Sequence, residues 1–145
     1  MLFRADSCKP YEQGLILNNP KRNRILIVDD VGEYSLAFKM YLPDDAETLI
    51  AESAEQARSL FAAHSPVDLA IIDVRLDKTR ADDVSGMDLL SWIRERSPET
   101  RVIMTSAYQT IEYELEAIER GAIRFLRKPL QPDEIKKALS QVLKP

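Results

Sequence analysis

The sequence predicts an α/β fold, a doubly wound five-stranded parallel sheet with helices on both faces. Two observations carry this. Short apolar runs recur and end in charged residues: Ile25-Leu26-Ile27-Val28 runs into Asp29-Asp30, Leu69-Ala70-Ile71-Ile72 into Asp73, and Ile123-Arg124-Phe125-Leu126 leads to Lys128-Pro129. Runs of this kind read as buried parallel strands. Between them lie segments with apolar residues at helical spacing, so that strand and helix alternate through five units.

Strand one is read at Arg24 to Val28. The helix after it carries Leu36, Ala37, Met40 and Tyr41 at helical spacing, and Pro43-Asp44-Asp45 breaks it. Glu47 to Glu52 has polar ends and reads as a second strand at an edge. Ser53-Ala54-Glu55-Gln56 is a capping box that starts helix two, whose apolar face is Ala54, Ala57, Leu60 and Phe61. His64-Ser65-Pro66 ends it.

Strand three is Val67 to Val74, followed by a polar loop from Leu76 to Ser85. Helix three carries Met87, Leu90 and Ile93 and stops at Ser97-Pro98. Strand four is Arg101 to Thr105. Helix four carries Ile111, Leu115 and Ile118, with Gly121 as its C-terminal cap. Strand five is Ile123 to Leu126. Pro132 opens helix five with Asp133 and Glu134 in its first turn, and Ile135, Ala138, Leu139 and Val142 are its buried face.

The 145 residues are one domain's worth, with ordinary globular composition at 45% apolar and 30% charged. Residues 1–23 are set apart by Lys9-Pro10, Gly14 and Asn18-Asn19-Pro20. They read as an N-terminal extension, mobile or loosely docked through Leu15-Ile16-Leu17, ahead of a domain at 24–145. A net charge of −4 without a long basic run argues against direct binding of nucleic acid. No run approaches the ~20 apolar residues of a membrane span, and no signal peptide is visible. Cys8 is the single cysteine, so no internal disulfide forms, and a cytoplasmic location fits.

In open α/β sheets function gathers at the carboxyl ends of the strands. If the runs pair in one sheet, Asp29, Asp30, Asp73 and Lys128 meet at one edge. Three carboxylates and an ammonium there suit a divalent metal and a phosphoryl group. The single histidine, His64, excludes His triads and multi-His metal sites.

From Arg24 to Leu143 the chain resembles the receiver domain of bacterial two-component response regulators. The matching pieces, in family order, are Ile-Leu-Ile-Val-Asp29-Asp30, Ile-Ile-Asp73, Val-Ile-Met-Thr-Ser106-Ala107, and Gly121-Ala122 through Phe125 to Lys128-Pro129. The resemblance implies the flavodoxin-like strand order 2-1-3-4-5. It also implies transfer of a phosphoryl group from a phosphohistidine of a histidine kinase or phosphotransfer protein to an aspartate.

Residue by residue, it makes Asp73 the phosphoacceptor. Asp29, Asp30, Asp73 and the backbone carbonyl of Arg75 become ligands of Mg²⁺. Lys128 becomes the active-site lysine, with a cis peptide at Pro129. Ser106 and Phe125 become a hydroxyl–aromatic switch. Output would pass through the fourth helix, fifth strand and fifth helix, a face including Ile111, Glu112, Tyr113 and Arg124 to Arg127, to an effector protein or a second copy of the chain. Such a domain catalyses its own phosphotransfer and dephosphorylation but is a switch more than an enzyme.

One departure stands out. Leu76 to Ser85 separates Arg75 from Gly86, a loop longer than the family's and without its Pro. Arg75 and Tyr108 occupy the two positions that in the family affect phosphoryl lifetime; both are bulky, and we expect them to shield the acyl phosphate from water. Two other readings stay open. One is a receiver-like interaction module that does not use phosphorylation. The other is an enzyme on the same fold, although the acids before Val31-Gly32 would repel a flavin phosphate, and adjacent Asp29 and Asp30 do not make the Asp-x-Asp of a phosphatase.

Overall fold

The computed structural model describes residues 23–108 and 110–143. The expected N-terminal arm lies outside the described residues, except for Asn23. The elements are β1 (Arg24–Val28), α1 (Gly32–Lys39), β2 (Glu47–Ala51), α2 (Ala54–His64), β3 (Leu69–Asp73), α3 (Ser85–Arg96), β4 (Arg101–Ser106), α4 (Ile111–Glu119), β5 (Arg124–Arg127) and α5 (Pro132–Val142). The five strands form one parallel sheet in the order β2-β1-β3-β4-β5, as expected.

Strand periodicity of two divides the core into two layers. Leu26, Val28, Ala70, Ile72, Val102 and Met104 point to one face and pack against α2, α3 and α4. Ile25, Ile27, Leu69, Ile71, Ile103 and Leu126 point to the other and pack against α1 and α5. β1, β3 and β4 are buried nearly throughout because helices cover both faces. β2 is at the edge, and it is correspondingly less buried.

Local signals act where they stand. Ser53 Oγ accepts from the Gln56 N–H at 3.1 Å, while Gln56 Oε1 accepts from the N–H of Glu52. The box thus closes one residue before the helix cap. Gly121 has φ 109°, and the N–H groups of Gly121 and Ala122 bond the carbonyls of Ile118 and Ala117. This is a Schellman ending, which a glycine makes without steric cost. Pro132 opens α5 as expected.

Two helices differ from their spacing. α1 ends at Lys39; Phe38 enters the core, while Leu36 and Met40 face solvent. In α4 the small Ala117 packs on the sheet, and Ile111, Leu115 and Ile118 line an exposed apolar face. A small residue lets the helix approach the sheet, while the larger side chains lie on the other faces of the helix and point outward. Among the described residues no helix is long and apolar enough to cross a membrane.

Candidate functional site

β1 and β3 are neighbours whose following helices leave on opposite faces, so a crevice opens at their carboxyl ends. Asp29 follows β1 and Asp73 ends β3, and both are nearly fully buried, at 4% and 2% exposure. Asp29 is held by its own turn: its Oδ1 accepts from the Val31 N–H at 2.9 Å, and its N–H donates to the Ala51 carbonyl. Asp73 Oδ1 lies 3.4 Å from the Arg75 N–H.

Lys128 reaches the same point from the end of β5. Its Nζ is 2.8 Å from Asp29 Oδ2 and 3.1 Å from Asp73 Oδ2. Its N–H donates to the Ser106 carbonyl at 2.8 Å, which ties the end of β5 to β4. The Lys128–Pro129 peptide bond is cis. The ring of Tyr34, on α1, covers the ammonium at 3.9 Å, a cation–π contact.

The structure therefore brings Asp29, Asp30, Asp73 and Lys128 together. Each carboxylate offers one oxygen, and the three lie within 4.8 Å of one another. Asp30 Oδ1 is buried with no hydrogen-bond partner. Hard oxygen donors, one of them a buried carboxylate oxygen that accepts no hydrogen bond, fit a hard divalent cation such as Mg²⁺.

Burial pushes the Asp73 carboxyl up; Lys128 pulls it down, Asp29 pushes it up and Lys78 pulls it down, and the result is above the ordinary value. Burial works against the charge of Lys128, but the adjacent Asp73 and Asp29 outweigh it, so the ammonium is held more tightly than usual.

Ser106 ends β4, fully buried, and its Oγ accepts from the Tyr108 N–H at 2.9 Å. Phe125 lies half-buried on β5 against the layer that holds α4. Arg127 stands near its ring, 5.8 Å from the centroid, and pairs with Glu114 of α4 at 3.0 Å. Arg75 and Tyr108 line a cavity of ≈170 Å³ with Asp73, Lys78 and Ala107. Their polar ends are turned to the long loop. Arg75 donates to the carbonyls of Lys78 and Arg80, and the Tyr108 hydroxyl is within reach of those of Ala81 and Asp83.

Four residues escaped the sequence reading. Lys78, in the long loop, places Nζ 3.4 Å from Asp73 Oδ2 and 3.5 Å from Asp30 Oδ1. A lysine in a polar loop carries no local signature of such a role. Tyr34 has none either. Asp83 closes the loop: its Oδ2 accepts from the N–H groups of Leu76, Asp77 and Ser85 and from Ser85 Oγ. An Asp that accepts from the N–H two residues on makes an Asx turn, a recognisable loop signal. Gly86 packs against the backbone of Asp73, where an added Cβ would meet its carbonyl oxygen at 2.0 Å. In the sequence Gly86 marks only the end of the long loop.

The family described as response regulator receiver domain matches residues 25–140. Among curated proteins, the chain is 32% identical over 124 residues to the alginate biosynthesis transcriptional regulatory protein AlgB of Pseudomonas aeruginosa, covering 85% of this chain and 26% of that protein. It is 30% identical over 123 residues to the chemotaxis protein CheY of Bacillus subtilis, covering 83% of this chain and 98% of CheY. The chain thus spans about a quarter of the length of the first of these relatives and nearly all of the second. Among solved structures, the receiver domain of NtrX from Brucella abortus superposes with a TM-score of 0.70 at 31% identity, covering 82% of this chain and 97% of that one. The signal receiver domain of an HD domain-containing protein from Pseudomonas fluorescens does so with a TM-score of 0.72 at 30% identity, covering 84% and 94%. With the family matched over residues 25–140 and its fold shared with these receiver domains, the chain belongs to the response regulator receiver domains of two-component systems.

Proposed function

We propose that this receiver domain is switched by phosphorylation of Asp73. The observation that carries the reading is the convergence of Asp29, Asp30 and Lys128 on that one buried carboxylate. An Asp73 oxygen attacks the phosphorus of a phosphohistidine on a histidine kinase or phosphotransfer protein. The O–P bond forms as the P–N bond breaks, and its electron pair leaves with the imidazole. Asp29, Asp30, Asp73 and the Arg75 carbonyl would hold Mg²⁺, which when bound supplies positive charge for the carboxylates and the phosphoryl oxygens.

Lys128, anchored on Asp29, keeps an ammonium beside Asp73 for the incoming phosphoryl group. The Ser106 hydroxyl donates to a phosphoryl oxygen and gives up its bond from the Tyr108 N–H. That shift lets Phe125 move further into the layer beneath α4. Arg75 and Tyr108, lining the cavity at Asp73, restrict water and lengthen the life of the acyl phosphate. The exposed face of Ile111, Leu115 and Ile118 on α4, continuous with β5 and α5, takes an effector protein or a second copy of the chain. We assign this work to residues 24–145 in the cytoplasm, with 1–23 as an extension.

The test is the intact mass after incubation with Mg²⁺ and a small phosphodonor, alongside Asp73→Ala. One added phosphoryl group that requires both Mg²⁺ and Asp73 supports the reading. No adduct, with no Mg²⁺ binding by the folded protein, favours a phosphorylation-independent interaction module.

A further inference from the structure

We propose that Lys78 is a tethered counter-ion of the acidic site, which competes with the divalent cation for Asp30 and Asp73. The inference rests on the reading above that these carboxylates bind Mg²⁺.

The two lysines divide the three carboxylates between them. Lys128 is buried and bridges Asp29 to Asp73. Lys78, from the long loop, bridges Asp30 to the same Asp73 oxygen at 3.5 and 3.4 Å. Asp30 Oδ1, which faces it, has no hydrogen bond. The ammonium therefore stands beside a buried carboxylate oxygen that no hydrogen bond meets.

The loop is built to deliver this side chain. Asp83 Oδ2 gathers the N–H groups at both ends of the loop, from Leu76 and Asp77 to Ser85. The Arg75 guanidinium donates to the Lys78 carbonyl itself at 3.0 Å. The backbone at Lys78 is pinned, whereas its side chain is 37% exposed and reaches the site along a flexible stem. It can swing out to solvent without breaking any of these loop bonds.

Charge then decides when it is needed. With the carboxylates ionised, three negative charges face Lys128 and Lys78, leaving one uncompensated. A divalent cation and Lys128 neutralise the three by themselves, and Lys78 would then add a repelling positive charge beside the metal. Binding of metal and seating of Lys78 are thus mutually unfavourable.

Calorimetric titration of Mg²⁺ into the wild type, Lys78→Met, Lys78→Arg and Lys137→Ala tests this. Lys137 is exposed on α5, so its loss changes the net charge equally but remotely. Lys78→Met is expected to bind Mg²⁺ about three- to tenfold tighter than wild type, the scale of a partly exposed ion pair with two partners. Lys78→Arg and Lys137→Ala should stay close to wild type. The proposal is overturned if Lys78→Met binds no tighter than Lys137→Ala, or if Lys78→Arg gains as much as Lys78→Met. Absence of Mg²⁺ binding in all four proteins would instead overturn the metal-dependent function, and this inference with it.

Discussion

Gly86 and Asp73 touch backbone to backbone: a Cβ on Gly86 would lie 2.0 Å from the Asp73 carbonyl oxygen and 2.9 Å from its carbonyl carbon. The first turn of α3 is thereby pressed against the residue at the centre of the site, and the Gly86 N–H bonds the Val74 carbonyl at 2.9 Å. Since the opposing atoms are main chain, no rotamer change relieves the clash. Gly86→Ala should cost at least about 1–3 kcal/mol, the range for overpacking. It should also weaken Mg²⁺ binding by displacing Asp73. Chemical denaturation and metal titration of the same protein check both.

Asp73 makes stability depend on pH in the metal-free protein. Its carboxyl is raised in the fold, first by burial, so the folded state binds this proton more tightly than the unfolded chain. The favourable contribution is complete below the unfolded value of about 3.9 and is lost as pH rises through the folded one. Once pH has risen past the folded value, the ionised carboxylate is a net cost. Asp73→Asn should therefore be more stable than wild type there. The gain should shrink toward acid pH and on adding Mg²⁺. Melting curves from pH 4 to 8 in chelator would reveal it; a constant gain at every pH would contradict it.

Lys128 is the buried partner of two carboxylates, and its own side chain is 4% exposed. Removing one member of a buried ion pair costs about 3–5 kcal/mol, since the remaining charge is left uncompensated. We expect Lys128→Met to lose stability on that scale in chelator. Divalent cation should raise its melting temperature by more than it raises that of wild type, because it replaces the lost positive charge.

Asp83 titrates in the opposite sense to Asp73. Burial works against its charge, but bonds from Ser85 Oγ and from the backbone N–H groups of Asp77, Ser85 and Leu76 prevail and hold the carboxyl below the ordinary range. Its contribution is present above the unfolded value and lost as pH falls through the folded one. Asp83→Ala should cost about 1.5–3 kcal/mol at pH 7, the range of hydrogen bonds to a charged group, with a smaller deficit in acid. Hydrogen exchange at the Leu76 and Asp77 amides should accelerate at neutral pH. Unchanged protection there would mean the loop closes without this carboxylate.

The sequence by itself determined the alternation of five strands and five helices, and with it the edge where Asp29, Asp30, Asp73, Ser106 and Lys128 stand. Each of these residues ends or follows an apolar run, and the runs, the Ser53 box, Gly121 and Pro132 act through neighbours a few residues away. Such signals are local, so they are readable without the fold. Only the tertiary structure decided that Lys78 enters the site, that Tyr34 covers Lys128, and that Gly86 leaves room for the Asp73 carbonyl. It also decided that Phe38 rather than Met40 is buried on α1, and that the apolar stripe of α4 faces outward. These depend on the path of a loop and on how closely a helix approaches the sheet. Both are settled by contacts between segments far apart in the chain, which no periodicity encodes.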